Sequence, residues 1–406
     1  MATPPIHKDR FDAAGPVLLV APVPPPYGGM ALQAQQLAKF LRMDGNTVLF
    51  FQSNLAFPNW LQWLDRLPGL RTLVRSTLIW ITLWSKVRQA KIVHVFAASW
   101  VYFFTVVCPA VIVARALGKR VVLNYRGGEA EKFFGLWGWL ARPIFKMAQV
   151  VTAPSGFLAG VIQSEFQVPV PIVPNILNLS AFKYRERARF APKMLVTRHL
   201  EEIYDIESVL KAFRSVQEGH PEASLIIAGT GNQEGHLRSL ASSWNLKNVD
   251  FLGRVEHQHL PSVYDQCDIL LNASTVDNFP AALVEASAAG LAVVSTSPGG
   301  IPFIYQNRKN ALLVDVGDWQ GLARSVEALL EDPALGPELT KAALATVQAF
   351  DWSEVRKCLY RVYDAEPIDE PSETSRRSIS NARPVEDEKR TGASGVHRSA
   401  IRAVGN

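Results

Sequence analysis

Residues 268–296 read DILLNASTVDNFPAALVEASAAGLAVVST. The apolar run Ile269-Leu270-Leu271 suits a buried strand, and a polar loop over 272–279 follows it. Pro280 predicts a helix start, because its fixed φ suits the first helical position. Residues 281–289 are helical by propensity, Gly290 suits a left-handed helix end, and 291–296 returns as a second buried strand. Such a β-α-β unit implies parallel strands with helices on both faces. Glu285 is the only charge on a helix otherwise made of Ala, Leu, Val and Ser. A carboxylate there is costly unless it points into a cleft or has a partner. Asp277 lies at the mouth of the same helix, with seven residues between the two acids. On spacing alone, a capping Asp and a solvated Glu explain the pair as well as a site does.

The pattern repeats outward from this unit. Strands predicted at 194–197, 224–229, 249–253, 269–273, 291–296 and 311–314 alternate with helical stretches such as 207–217 and 236–244. This alternation predicts a parallel, doubly wound sheet. Upstream, strands at 17–21, 47–51, 92–96, 120–125, 150–155 and 171–175 predict a second α/β sheet, with a helix over 156–166. A chain of 406 residues exceeds a single core. The expected organisation is a flexible leader over 1–15, a first Rossmann-like domain over 16–178 and a polar linker over 179–192. A second Rossmann-like domain follows over 193–350. A helix over 351–365 then packs back on the first domain through Val355, Leu359 and Val362. After Tyr363 no aromatic residue occurs, and 366–406 is expected to be disordered.

Net charge is +5, but its distribution says more. No Asp or Glu occurs over 66–128, which carries Arg66, Arg71, Arg75, Lys86, Arg88, Lys91, Arg115, Lys119, Arg120 and Arg126. Trp60, Trp63, Trp80 and Trp84 accompany these cations. The uncharged stretch 95–114 is long enough to raise a membrane span. It lies between two strands of one sheet, however, and reads better as a buried helix. The basic, Trp-rich segment before it predicts contact with an anionic membrane surface; ordinary helix amphipathicity is the alternative. Cys108, Cys267 and Cys358 have neither metal-ligand spacing nor a disulfide framework, so a reducing compartment is expected. The first residues carry no charged-then-apolar signal peptide.

Three turns at strand ends stand out as ligand sites. Gly28-Gly29 opens a helix, where a phosphate can approach the backbone, although a tight turn explains it equally. Arg126-Gly127-Gly128-Glu129 closes another strand. Gly229-Thr230-Gly231 is only a fragment of the GxGxxG fingerprint. No P-loop, HExxH or GxSxG pattern is present, which argues against P-loop hydrolysis and serine hydrolysis.

Taken in order, several segments resemble the retaining GT-B glycosyltransferases of family 4. They are Val196-Thr197-Arg198, Ala228-Gly229-Thr230-Gly231, Phe251-Leu252-Gly253-Arg254-Val255, the acid-x7-Glu stretch and Pro298-Gly299-Gly300-Ile301-Pro302. The resemblance spans about residues 17–364 and includes Gly28-Gly29, the strand holding His94 and the Trp352 helix. It implies an α/β GT-B fold, two Rossmann-like domains facing a cleft. It also implies transfer of a sugar from a UDP- or GDP-sugar with retention, without metal or cofactor, the nucleotide-sugar being a co-substrate. Glu285 corresponds to the glutamate that binds the nucleotide ribose, and Asp277 to the acid that contacts donor-sugar hydroxyls. Arg198 corresponds to the cation that stabilises the leaving diphosphate. Gly28, Gly29, Thr230, Gly231, Arg254, Val255, Asn278 and Phe279 would line the donor, and Arg126 and His94 would contact sugar or acceptor. The expected partners are a nucleotide-sugar, a glycan or glycolipid acceptor and an anionic membrane surface, with no nucleic acid. The expected location is the cytoplasmic face of a membrane. The chain departs from the family in three places. Asp277 is one methylene shorter than the usual Glu, no Lys follows Arg198 in His199–Asp205, and Arg126 stands where many members carry His. A homologue that binds without catalysing is the alternative function.

Overall fold

The structure is a computed structural model that describes residues 15–24, 29–54 and 68–364, excepting the side chains of 68–73 and 75–78. Gly28, Trp60, Trp63, Arg66, residues 1–14 of the predicted leader and the predicted tail lie outside these residues, as do the side chains of Arg71 and Arg75.

The first sheet is built from Val17–Ala21 (β1), Val48–Gln52 (β2), Ile92–Ala97 (β3), Arg120–Tyr125 (β4) and Val150–Thr152 (β5). Helices Gly29–Met43 (α1), Pro68–Arg88 (α2), Trp100–Tyr102 (α3), Cys108–Ala116 (α4), Ala130–Met147 (α5) and Gly156–Phe166 (α6) connect and cover it. A π-helical turn, Phe103–Val107, joins α3 to α4. The strands are all parallel in the order β2-β1-β3-β4-β5. Side chains of β1 alternate between two cores, as the period of two demands. Leu18 and Val20 join the core under α2, α4, α5 and α6, whereas Val17 and Leu19 join the core under α1. The predicted strand over 171–175 shrinks to a single bridge between Ala153 and Ile172. Two of its residues are prolines, Pro171 and Pro174, and a proline has no N–H to give a ladder.

The second sheet comprises Lys193–Thr197 (β6), Ser224–Ala228 (β7), Val249–Gly253 (β8), Ile269–Asn272 (β9), Ala292–Thr296 (β10) and Leu312–Val314 (β11). Its order is β11-β10-β9-β6-β7-β8, again all parallel. Its helices are Ile206–Gly219 (α7), Glu234–Ser243 (α8), Leu260–Asp265 (α9), Ala281–Ala289 (α10), Trp319–Glu331 (α11) and Leu335–Val347 (α12). The opening stretch forms β9-α10-β10 as expected, with Gly290 left-handed at φ 82°. Pro280 caps α10 instead of starting it.

Trp352–Asp364 (α13) returns to the first sheet. Trp352, Val355, Leu359, Val362 and Tyr363 enter the α1 core, and each such buried side chain contributes roughly 1.5–3 kcal/mol relative to exposure. Asp44 accepts from Trp352 Nε1 (3.0 Å) and from the Tyr360 hydroxyl (2.7 Å), which fixes the helix at one end.

The polar linker before β6 is docked against the second domain. Arg187 is buried, with Nε 2.7 Å from Asp268 Oδ1 and further bonds to the carbonyls of Cys267 and Gly290. A buried Arg–Asp pair reads in sequence like a solvated one, so the docking of this linker is visible only in the fold.

Both sheets present their carboxyl edges to each other. Phe157 at the start of α6 meets Phe303 after β10, ring centroids 6.3 Å apart, and Gly128 after β4 lies beside Asn278.

Candidate active site at the edge of the second sheet

In the second sheet, connections run outward from β6 on one side and from β9 on the other. A crevice forms at such a reversal, beyond the carboxyl ends of the two strands, and ligands bind there in open α/β sheets. Arg198 directly follows β6, and Asp277 follows β9. Topology therefore brings together two residues that are far apart in the chain.

Arg198 Nη2 donates to Asp277 Oδ2 at 2.5 Å, and Nε donates to Asn272 Oδ1 at 3.0 Å. Its guanidinium also sits 5.3 Å above the Tyr204 ring. Asn272 is held in turn, giving Nδ2 to Ser295 Oγ and accepting from Ser274 Oγ. Asp277 uses its other oxygen to accept the Phe279 amide at 3.0 Å. It both caps the turn and neutralises Arg198.

Two glycine pairs explain how these loops pack so closely. A Cβ on Gly229 would lie 1.8 Å from the Arg198 carbonyl oxygen, and one on Gly231 would lie 2.2 Å from that of Leu200. Thr230 accepts the Leu200 amide at 3.0 Å. These residues clamp the backbone that carries Arg198. Gly299 and Gly300 do the same for the turn 277–278: a Cβ on either would fall within 2.4 Å of its carbonyls.

Glu285 is 7% exposed, so the solvated alternative does not hold. Tyr264 donates to Glu285 Oε2 at 3.0 Å and shares a 2.8 Å bond with Thr197 Oγ1. Among the described residues no hydrogen bond reaches Oε1. Burial pushes the Glu285 carboxyl up to about 7, against the hydrogen bond from Tyr264 and the charge of Arg198. Burial, and then the charge of Glu285, hold the Tyr264 phenol well above its usual range, so it stays a donor. Tyr264, Asn272 and Tyr204 were missed in the sequence. Each lies in an ordinary helix, strand or turn, and only the fold brings it to the site.

The other expected donor residues surround this core unevenly. Asn278 and Phe279 lie in the same turn, and Phe279 stacks edge-on against Phe350 with centroids 5.2 Å apart. Arg254 is exposed, and Val255 is half-buried against the α10 core. Gly29 begins α1, where a Cβ would meet open space. A larger open groove, about 810 Å3, lies beside β11 and contains none of these residues.

In the first sheet Arg126 follows β4. It bonds to Asn175 Oδ1, and its guanidinium lies 4.8 Å over Phe96. Among the described residues its buried Nε and the buried Oδ1 of Asn124 have no hydrogen-bond partner. No carboxylate pairs with it among the described residues, and burial brings its pKa down to about 9. His94 is corrected. It is 1% exposed, with Nδ1 2.8 Å from the Tyr363 hydroxyl and Nε2 3.2 Å from Asn124 Nδ2. Burial, with the nearby Arg126 charge, lowers its pKa to about 3. Both ring nitrogens are occupied, so neither can contact a sugar. His94 instead joins the sheet to α13.

Residues 185–345 match the family of glycosyl transferases group 1. A glycogen synthase of Mycobacterium tuberculosis is 28% identical over 198 residues, 48% of this chain and 48% of that protein. A GDP-mannose-dependent monoacylated alpha-(1-6)-phosphatidylinositol monomannoside mannosyltransferase of Corynebacterium glutamicum is 31% identical over 169 residues, 40% of this chain and 44% of that one. The chain thus spans about half the length of the curated relatives it matches. Across both sheets, the HepE protein of Anabaena, solved in complex with UDP, superposes with a TM-score of 0.67 at 16% identity, covering 86% of this chain and 100% of that one. The chain has the GT-B fold, and within it residues 185–345 are similar to the glycosyl transferases group 1.

Proposed function

We propose that the protein is a retaining glycosyltransferase that moves a sugar from a UDP- or GDP-sugar to a lipid-linked or membrane-proximal acceptor at the cytoplasmic face of a membrane. The observation that carries this reading is the convergence of Arg198, Asp277 and Glu285 at one strand-reversal crevice. Glu285 keeps one oxygen anchored by Tyr264 and presents the other, the arrangement needed to accept ribose hydroxyls. Arg198 exchanges Asp277 for the donor diphosphate, and Asp277 is then free to accept sugar hydroxyls. The acceptor oxygen attacks the anomeric carbon on the face the diphosphate leaves, and a diphosphate oxygen takes the acceptor proton. Arg198 stabilises the charge that builds on the leaving group. Arg126, with no carboxylate partner among the described residues, adds a cation on the facing sheet that offsets the Lys absent after Arg198.

The relatives support this direction, one named as a GDP-mannose-dependent mannosyltransferase of a phosphatidylinositol monomannoside, another solved with UDP. Among the described residues no helix is long and apolar enough to cross a membrane. Trp80, Ile81 and Trp84 are exposed on α2 beside Lys86 and Arg88, which suits a surface lying on anionic lipid. Failure to sediment with anionic vesicles at low salt would remove the membrane part of the proposal.

The site is tested by calorimetric titration with UDP and GDP, followed by transfer from radiolabelled nucleotide-sugars to membranes. Glu285→Gln and Arg198→Ala are expected to abolish transfer. Full transfer by Glu285→Gln would overturn the assignment. The tight Arg198–Asp277 pair is the one observation that favours a non-catalytic homologue, and absence of binding to either nucleotide would select that reading.

A further inference from the structure

One face of the first sheet carries a line of polar side chains in an otherwise apolar core. His94 and Phe96 on β3 share this face with Val122 and Asn124 on β4, by the period of two, and Arg126 continues it past the end of β4. Asn124 is 1% exposed. Its Nδ2 lies 3.2 Å from His94 Nε2, and an amide nitrogen can only donate. His94 Nε2 therefore accepts, and Nδ1 carries the proton that bonds to the Tyr363 hydroxyl at 2.8 Å. This arrangement turns Asn124 Oδ1 away from the histidine. Arg126 is held on two sides: Nη1 donates to Asn175 Oδ1, and the guanidinium lies over Phe96. Its Nε, like Asn124 Oδ1, is buried with no partner among the described residues.

A buried donor and a buried acceptor left unmet are each costly, and here the two residues that carry them line one cavity. The cavity sits between the sheet, α1, α13 and residues 173–176. It leaves about 10 Å3 for the centre of a water molecule, room for one. A water accepts from Arg126 Nε through a lone pair and donates to Asn124 Oδ1, which meets both needs at once. Gln33 lines the same cavity. Its Oε1 accepts the Ile176 amide at 2.9 Å and has a second lone pair for the water's other proton. An anion suits the cavity less well, because it has no proton to give Asn124 Oδ1.

We propose that a buried water links Asn124 to Arg126, and that Asn124 is thereby a positioning residue that holds the guanidinium at the carboxyl edge of β4. Two residues on, Gly128 lies beside Asn278, so this edge faces the donor-site turn. With Nε, Nη1 and the ring face engaged, Nη2 is the nitrogen left to meet an anion in the crevice. That role for Arg126 rests on the transferase reading. The water itself does not.

The water is tested by nuclear magnetic resonance on the full chain with 15N-labelled arginine. One Nε–H resonance, identified by its loss in Arg126→Lys, is expected to exchange slowly and to show a cross-peak to a long-lived water. In Asn124→Leu that cross-peak should disappear. A parent resonance without contact to water would overturn the proposal, as would a cross-peak that Asn124→Leu leaves unchanged. A crystal structure that resolves ordered water should place one oxygen about 3 Å from both Arg126 Nε and Asn124 Oδ1. An anomalous bromide peak there after a soak would show two donors facing the cavity and would overturn it too. Calorimetry with UDP and GDP measures the positioning. For the nucleotide that binds the parent, Asn124→Leu is expected to weaken affinity roughly fivefold, and to add no further loss to Arg126→Met. Equal losses in the two backgrounds would overturn the positioning role, since Asn124 would then act without Arg126. Binding of neither nucleotide by the parent would sink the transferase reading, and the water cross-peak would still decide the buried site.

Discussion

Each half of the molecule buries a titratable side chain that its site could use, His94 in the first and Glu285 in the second, and the two are treated oppositely. In the first sheet His94 has partners on both ring nitrogens and is closed to ligand. In the second, Glu285 has one oxygen held by Tyr264 and no described partner on the other. A fully satisfied buried group stabilises and does nothing else, whereas a half-satisfied one retains capacity for a ligand. Histidine loses from being charged when buried and so comes down in pKa, while a carboxylate goes up. One half should therefore weaken in acid and the other toward neutral and alkaline pH.

The acid side gives the largest expected effect. His94 titrates near 3 when folded against 6.5 unfolded, so the folded state binds fewer protons between those values. Its contribution is fully present above pH 6.5 and disappears as the pH falls toward 3, up to about 5 kcal/mol. Urea unfolding between pH 3 and 7 would measure it. A His94→Phe variant with the same acid slope as the parent would break the comparison.

Next in size is Arg198→Ala, which leaves Asp277 uncompensated at a largely buried site. The expected loss is about 3 kcal/mol at pH 7 by the same denaturation. A loss under about 1 kcal/mol would mean that solvent in the crevice screens the pair.

Glu285 sets the opposite slope. Its pKa is about 7 folded against 4.5 unfolded, so the folded state binds more protons in that window. Stability is full below pH 4.5 and declines as the pH rises through 7, by up to about 3 kcal/mol. Glu285→Gln should match the parent at pH 4.5 and exceed it at pH 8 in thermal melts. Its affinity for UDP or GDP should fall roughly 10- to 100-fold, the cost of a charged hydrogen bond. A variant that gained stability and kept affinity would separate burial from recognition.

Arg126→Met is the smallest. Removing a half-buried cation with no described counter-ion should change stability by within about 1 kcal/mol while weakening any anion held at that edge. A large destabilisation would show that Arg126 is structural, as His94 is.

Much of the architecture was legible in the sequence because it depends on local pattern. Apolar runs of strand length, alternating with amphipathic helices, place both parallel sheets, and Gly290 marks its helix end. Glu285 was legible as a charge on a small-residue helix, since such a helix packs too closely to leave a carboxylate indifferent. Arg198 and Asp277 were visible as residue types, but not as an ion pair at 2.5 Å.

What only the tertiary structure decided follows from strand order. The reversal between β6 and β9 turns residues 79 positions apart into neighbours. The return of α13 brings Tyr363 to His94 and removes that histidine from the chemistry. Docking of the 179–192 stretch turns a polar sequence into a buried anchor through Arg187 and Asp268. In each case the side chain's role depends on what desolvates it and which partner then meets it. Those quantities belong to contacts between distant segments, and residue spacing along a chain does not contain them.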